Sequence, residues 1–207
     1  MNLQPLLEKS SQNHSHLCPR QILGVRIGLA GMNALALAAN QGSNKRLLVI
    51  LETDGCFADG VIAATNCSVG HRTLRVEDYG KAAATFVDTR TGNAVRVTPT
   101  LDIRQQACAC CPEESRHYFA QLQAYQIMPD EQLVTITEVQ LMTPIEQIIS
   151  HPGVRVECAS CGEEIMNERE VIVDGQPLCH ACAGESYYQL LEHDVILPYI
   201  FEHASTL

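Results

Sequence analysis

The stretch 158–182, CASCGEEIMNEREVIVDGQPLCHAC, determines the fold of the C-terminal part of the chain through its four cysteines. Cys158 and Cys161 form one Cys-x2-Cys pair, and Cys179 and Cys182 form a second after seventeen intervening residues. Two such pairs, brought together by a hairpin, complete the tetrahedral four-thiolate site that structural zinc prefers. We therefore predict Zn²⁺ bound by these four thiols in a small module of the zinc-ribbon or treble-clef type.

The residues between the two pairs favour the hairpin that this site needs. The segment 165–173 carries strand-forming side chains, and Asp174-Gly175 is a turn dipeptide. The alternatives are four unrelated cysteines or a disulfide pair.

Composition suggests one main domain with a small additional module. The chain has 207 residues, 46% of them hydrophobic. The polar segment 1–16 has no apolar signal-peptide core, and the longest apolar stretch, 27–39, is too short to span a membrane. We expect a cytoplasmic protein without a membrane partner. In that reducing compartment the ten cysteines are thiols or metal ligands rather than disulfides.

The charge argues against nucleic-acid binding. The formal net charge is −10, whereas a nucleic-acid grip needs clustered Lys and Arg. The zinc segment is itself acidic, with five carboxylates and Arg169 alone between its cysteine pairs. A DNA-binding finger is therefore disfavoured.

The order of predicted elements indicates an α+β fold, with helices packed on a mixed or antiparallel sheet. We predict a core domain over 1–145, a linker over 146–156, and a zinc finger with a helical tail over 157–207. The tail from residue 185 onward is apolar enough to pack against another surface. Within the core, strands are predicted over 47–52, 73–79, 83–88, 94–98 and 133–141, and helices over 19–42, 57–65 and 113–125.

The first long helix, predicted over 19–42, has one face of nearly bare backbone. Gly24, Gly28 and Gly31 recur at spacings of three and four residues, although each glycine costs a helix roughly 1 kcal/mol relative to Ala. Close packing of a neighbouring helix is one explanation. Room for a substrate or for a partner helix is the other.

A second group of cysteines lies at the ends of predicted elements. Cys18 precedes the long helix, where the positive end of the helix dipole favours a thiolate, and His16 lies on the same side of an extended segment. Cys56 follows the first buried strand, and Cys67 follows the next short helix. Side chains at element ends can reach a shared cleft. Taken singly, each thiol is also compatible with an ordinary buried cysteine.

These residues lie in motifs that resemble the FmdE family, proteins similar to the FmdE component of formylmethanofuran dehydrogenase. The resemblance covers about residues 10–145, and the zinc segment looks like the C-terminal finger of many members. The motifs are His16-Leu17-Cys18-Pro19 before the glycine-rich helix, Glu52-Thr53-Asp54-Gly55-Cys56-x2-Asp59, Asn66-Cys67-Ser68-x-Gly70 and Tyr79-Gly80-Lys81.

The resemblance implies an intertwined homodimer with an α+β core and a metal-binding cleft. It implies His16, Cys18, Cys56 and Cys67 as the ligands of a second transition metal, Zn²⁺ or Ni²⁺/Fe²⁺. The chain departs from the family pattern at His71 and in the cluster Cys108-x-Cys110-Cys111. That cluster is either a loop with incidental or reactive thiols, or a fragment of a soft-metal or redox site.

Two functional hypotheses follow from these observations. The first is a metal-binding FmdE-like protein, accessory to a molybdenum or tungsten oxidoreductase system, whose cleft binds a small molecule. Cys18 would be its catalytic thiol, Asp59 or else Asp54 would handle protons, and Lys81 would hold substrate charge. Whether the chain is an enzyme stays open. The second is a zinc-finger adapter or regulatory protein with the structural four-cysteine site only. Metal content distinguishes them, since the adapter binds one zinc per chain.

Overall fold

The computed structural model describes residues 3–12, 14–40, 44–149 and 153–189. Contacts divide the chain into two units, residues 1–149 and residues 150–207, and this division falls inside the segment 146–156. The apolar tail predicted to pack beyond residue 189 lies outside the described residues. Within the described part of the chain, the structure contains no helix of the length and apolarity that a membrane crossing requires.

The first unit is built on a five-stranded mixed sheet with the strand order β2-β1-β3-β4-β5. The β1 strand pairs in parallel with β2, and all other neighbours are antiparallel. The strands are β1 Leu47–Leu51, β2 Leu74–Val76, β3 Ala84–Asp88, β4 Ala94–Pro99 and β5 Val134–Val139.

Seven helices are described in this unit, and α2 forms its central rod. The Gln21 side chain closes the start of α2 by accepting a hydrogen bond from the Cys18 amide at 2.7 Å. The helices are α1 Gln4–Ser11, α2 Pro19–Ala34, α3 Cys56–Thr65, α4 Ile103–Cys110, α5 His117–Ile127, α6 Asp130–Leu133 and α7 Ile145–Ile148.

The glycine face of α2 is a packing surface, which agrees with the first of the two explanations given for the glycine spacing. A Cβ at Gly24 would overlap the backbone oxygen of Phe57 on α3, and a Cβ at Gly60 would overlap the backbone oxygen of Gln21. A Cβ at Gly28 would lie 2.8 Å from the Ala64 Cβ. The two backbones therefore touch, which fixes the start of α2 beside the start of α3.

The face of the sheet that does not pack against α2 is covered by a smaller apolar cluster. Leu48, Val87 and Ala94 are buried there beneath residues of the segment 139–148. The β5 strand forms one edge of the sheet, and Thr135 to Glu138 are exposed on both of its faces. Among the described residues, no further strand pairs with this edge.

The described residues of the second unit, 153–189, form two small hairpins and a short turn of π-helix. In the first hairpin, β6 Arg155–Glu157 pairs with β7 Glu164–Met166; in the second, β8 Val171–Val173 pairs with β9 Gln176–Leu178. The π-helical turn, Ala181–Glu185, carries the last cysteine. Asp174 and Gly175 both have positive φ at the tip of the second hairpin, as a two-residue turn requires.

The predicted α+β class with a small C-terminal cysteine module is confirmed. The structure differs in detail along α2, which ends at Ala34 rather than near residue 42. Ala36 has a positive φ, and the amides of Ala36 and Leu37 donate to the carbonyls of Asn33 and Met32 at 3.0 and 2.9 Å. This is the Schellman pattern, which ends a helix. The α4 helix was not predicted.

Candidate metal and thiol sites

The four C-terminal cysteines converge into one cluster. Their sulfur atoms all lie within 4.8 Å of one another, and the Cys161 and Cys179 sulfurs are 4.0 Å apart. A tetrahedral zinc ion with Zn–S bonds of about 2.3 Å places its sulfurs roughly 3.8 Å apart, so the arrangement fits Zn²⁺. Among the described residues, this is the one group of three or more ligand-type side chains with such spacing.

Backbone amides donate hydrogen bonds to two of the four sulfurs. The Cys158 sulfur accepts a hydrogen bond from the Cys179 amide at 3.3 Å, and the Cys179 sulfur accepts one from the Cys182 amide at 3.4 Å. Hydrogen bonds from the Cys161 and Cys179 backbone lower the pKa of Cys158 to about 6. His180 points elsewhere, because its Nδ1 pairs with Glu185 at 2.5 Å. The geometry supports a structural zinc held by four thiolates.

A separate cleft of about 450 Å³ lies in the first unit. Its walls come from the segment before α2, from the N-terminal parts of α2, α3, α4 and α5, from the ends of β4 and α5, and from Ala82 before β3. The lining residues are His16, Cys18, Pro19, Arg20, Leu23, Cys56, Ala82, Pro99, Ile103, Arg104, Tyr118, Gln121 and Tyr125. Three of the residues predicted for the second metal site therefore line one cleft, but their ligand atoms do not form a group within 4.8 Å of one another as the C-terminal cysteines do.

Cys18 and Cys56 lie next to each other in this cleft. Cys18 caps α2 and Cys56 is the first residue of α3, so the close packing of these helices places the two thiols side by side. The pKa of Cys56 is raised, first by burial and then by its hydrogen bond to the Cys18 side chain and by the charge of Asp59. Burial, together with the charges of the two cysteines, also raises the pKa of the Tyr118 phenol. Two thiols and a phenol thus share one small volume.

Two histidines flank the thiols. His16 lines the cleft and its Nδ1 lies 2.9 Å from the Ser15 hydroxyl. His14 pairs with Asp59, with 2.8 Å between Nε2 and the carboxylate oxygen. The charge of Asp59 acts on Cys56, and an imidazole is its hydrogen-bond partner; its role in proton handling stays a prediction. A role for His14 was not predicted, although its position two residues before His16 was the available signal.

The structure does not bring Cys67 to the cleft. Its side chain is fully buried in the apolar core, where its sulfur accepts a hydrogen bond from Asn40 at 3.3 Å and lies 3.5 Å from the Leu47 carbonyl. Asn66 adopts a left-handed conformation that ends α3 and turns the chain inward at this point. Cys67 therefore occupies the position of a core residue rather than of a cleft ligand.

Lys81 also lies outside the cleft lining, although its neighbour Ala82 is part of it. The Lys81 ammonium is 5.9 Å from the centre of the Tyr79 ring, in a cation–π contact, and its amide donates to the Glu52 carbonyl at 3.0 Å. In this arrangement the charge of Lys81 is directed at an aromatic face.

The third cysteine cluster lies at the end of α4. Cys108 is half-buried, Cys110 is exposed and Cys111 is buried. The pKa of Cys111 is raised by burial and then by the neighbouring Cys110. Cys108 also contributes to the raised pKa of Tyr125, a residue of the cleft lining. The three sulfurs do not form a group within 4.8 Å, so they do not share one ion in this conformation.

Comparison with known proteins identifies both parts of the chain. The family model described as "FmdE, Molybdenum formylmethanofuran dehydrogenase operon" matches residues 13–152. The model described as "Prokaryotic dksA/traR C4-type zinc finger" matches residues 153–188 and contains the four clustered cysteines.

A curated relative and a solved structure extend this result. A protein of Archaeoglobus fulgidus named "Probable S-adenosyl-L-methionine-binding protein" is 29% identical over 216 residues, which cover 94% of this chain; the chain spans only 56% of that protein. The crystal structure of a tungsten formylmethanofuran dehydrogenase FmdE-like protein from Syntrophus aciditrophicus has the same fold, with a TM-score of 0.59 and 23% identity. That match covers 91% of this chain and 96% of the other. The chain belongs to the FmdE family and carries a four-cysteine zinc finger at its C-terminus.

Proposed function

We propose that this protein binds two metal ions with different roles: a structural zinc in the C-terminal finger, and a second transition metal in the cleft of the first unit. The observation that supports the proposal is that Cys18, Cys56 and His16 line a single cavity, so that small side-chain movements would bring their ligand atoms to one ion. Two thiolates and an imidazole suit Zn²⁺, Ni²⁺ or Fe²⁺.

The cleft has the features of a reactive rather than a structural metal site. Three protein ligands would leave a coordination position open to the cavity, where a bound metal polarises a small molecule or activates water. His14 and Asp59 stand ready as a hydrogen-bonded pair beside Cys56 to take or release a proton. Cys67 is not included in this ligand set because its sulfur is enclosed in the core.

In the cell we propose an accessory role next to a molybdenum or tungsten oxidoreductase of the formylmethanofuran dehydrogenase type. The family model that matches the core takes its name from that operon. Dehydrogenase chemistry of this kind needs a pterin and iron–sulfur clusters. Among the described residues, the one tight group of metal ligands is the C-terminal four-cysteine set, so the chain would serve such a system by handling metal or a small molecule.

Metal content per chain tests this proposal. The protein is purified anaerobically, loaded in separate samples with Zn²⁺, Ni²⁺ or Fe²⁺, desalted and measured by elemental analysis. We expect about two metal ions per chain in the native protein and about one in Cys18→Ser and in Cys56→Ser, because one of the cleft thiolates is then lost.

Cys110→Ser is the matched control, since it also removes one thiol but changes an exposed residue outside the cleft lining. It should retain the native metal content. One zinc per chain in all four proteins would refute the cleft site and favour the adapter function, in which the finger is the sole metal centre.

We also propose that the chain forms a homodimer through the edge strand β5. Thr135 to Glu138 are exposed on both faces of this strand, and Ile136 is 46% exposed at a sheet edge that needs a cover. Sedimentation velocity should give a dimer for the native protein and a monomer for Ile136→Asp. Val69→Asp, at an exposed loop position, should remain dimeric. A native monomer at high micromolar concentration would exclude this assembly.

A further inference from the structure

The walls of the cleft are positively charged in an acidic protein. Arg20 and Arg104 both line it, and none of the described lining residues is Asp or Glu. The formal net charge of the chain is −10, so a cavity lined by two arginines and no carboxylate has the opposite sign to the molecule as a whole. Asp59 and Asp102 lie outside the lining, and their carboxylates are hydrogen-bonded to His14 and Gln106.

The two guanidinium groups differ from other arginines of the first unit in having no carboxylate partner among the described residues. Arg26, Arg46 and Arg96 each pair with a carboxylate, at distances between 2.5 and 2.7 Å. Arg20 and Arg104 are exposed, and in the described part of the chain neither has a side-chain hydrogen bond or ion pair. Their charges are therefore available to a ligand.

The backbone adds to this positive potential. The cleft is lined from the first turns of four helices: Arg20 on α2, Cys56 on α3, Arg104 on α4 and Tyr118 on α5. Helix N-termini carry partial positive charge and favour anions nearby. These helices have 16, 10, 8 and 11 residues. The arginines and the helix N-termini therefore both contribute positive potential to the same cavity.

The rest of the lining is apolar and aromatic. Leu23, Pro99 and Ile103 contribute aliphatic surface, and Tyr118 and Tyr125 contribute rings. A cavity of about 450 Å³ is large enough for a small organic molecule but exceeds the volume of a simple inorganic anion. The walls therefore favour a ligand with an apolar body in addition to its charge.

We propose that the cleft binds a small organic acid, whose anionic group contacts Arg20 and Arg104 and whose apolar body lies against the aliphatic and aromatic walls. This inference rests on the cleft being the ligand site of the proposed function. It names the class of molecule that would lie beside Cys18 and Cys56.

A pair of fluorescent probes tests the inference. The anionic probe is 8-anilinonaphthalene-1-sulfonate, and the neutral probe is N-phenyl-1-naphthylamine, which has the same ring system without the acid group. Each is titrated into the native protein, Arg20→Gln, Arg104→Gln and the double variant. We expect the anionic probe to bind the double variant at least about tenfold more weakly, because a charge-assisted contact contributes roughly a factor of ten or more. The neutral probe should change by less than about twofold between these proteins, since it lacks the group that the arginines contact.

Arg90→Gln is the matched control, since it removes the same charge at an exposed turn position outside the cleft lining. It should bind both probes as the native protein does. Alkylation mapped by mass spectrometry localises the probe: bound anionic probe should slow the modification of Cys18 and Cys56 while leaving exposed Cys110 unchanged.

Equal loss of anionic-probe binding in Arg90→Gln, unchanged binding in the double variant, or absence of protection at Cys18 and Cys56 would each overturn the inference. Metal content of the arginine variants is measured in parallel. A native metal content with an unaltered probe affinity would refute the organic-acid ligand alone. A single zinc per chain in every protein would refute the cleft metal separately.

Discussion

Replacing Gly24 by Ala should destabilise the first unit, although alanine is the better helix former. An alanine inside a helix gains about 1 kcal/mol over glycine from propensity alone. At Gly24 the new Cβ would overlap the Phe57 carbonyl oxygen and lie 3.0 Å from the Gly60 Cα. Both contacts are with backbone, so no side-chain rotation relieves them. The two helices must then separate by roughly 1 Å, which weakens the dispersion contacts along their interface.

The net effect can be estimated from these opposing contributions. Overpacking a tight core costs about 3 kcal/mol at the upper end of its usual range. After the gain in propensity of about 1 kcal/mol, the free energy of unfolding should fall by about 2 kcal/mol, and the melting temperature of a unit of this size by about 4–8 °C. Urea denaturation followed by circular dichroism measures the first quantity, and a thermal scan measures the second.

Gly28 on the same helix provides the matched control. Its Cβ would lie 2.8 Å from a side-chain methyl, the Ala64 Cβ, and this methyl can be removed. Gly28→Ala with Ala64→Gly should therefore recover most of the stability that Gly28→Ala alone loses. No such partner exists for Gly24. A Gly24→Ala protein about 1 kcal/mol more stable than native would show that propensity dominates, and would refute the close contact of α2 and α3.

Three further outcomes are expected. Cys158→Ser should lose the structural zinc, measured by elemental analysis, while the first unit retains its unfolding transition; loss of that transition would contradict the division into two units. Arg96→Met should lower the free energy of unfolding by about 3 kcal/mol, because it leaves the buried Glu52 carboxylate unpaired, and adding Glu52→Gln should restore part of the loss; equal instability of the single and double variants would argue against a role for the pair. Arg46 lowers the pKa of Asp88 to about 2. The pair therefore stabilises the fold at pH values above the ordinary pKa of a carboxyl group, and this contribution is lost as the pH falls toward 2. Arg46→Gln should flatten the dependence of stability on pH between about 5 and 2 in acid titrations, and an unchanged slope would contradict this coupling.

The sequence predicted the features that depend on local spacing. The four zinc ligands follow from two Cys-x2-Cys pairs and a turn dipeptide between them, and the structure brings their sulfurs together. The packing face of α2 is one of the two explanations for the recurrence of glycine at helical spacing, and the close approach of α3 at Gly24 and Gly28 agrees with it. In both cases the relevant residues are near one another in the chain.

Features that depend on tertiary placement were missed. Cys67 and Cys56 look equivalent in the sequence, since each lies at the end of a predicted element. The left-handed residue Asn66 directs Cys67 into the core, and this conformation is not evident from the residue type alone. Arg20 and Arg104 are 84 positions apart, and no local pattern relates them until the first turns of α2 and α4 line the same cavity. The α4 helix was overlooked because its cysteine-rich end was interpreted as a loop.

The different exposure of the ten sulfurs has a practical consequence for experiments on this protein. Cys110, Cys161 and Cys182 are the exposed cysteines, and the last two belong to the zinc site. When zinc is bound, a fast-reacting maleimide dye should therefore attach first at Cys110. Stripping the zinc should add Cys161 and Cys182 to the rapid phase. The amplitude of the rapid labelling phase therefore measures the fraction of protein without zinc, in the same sample that is used for binding measurements.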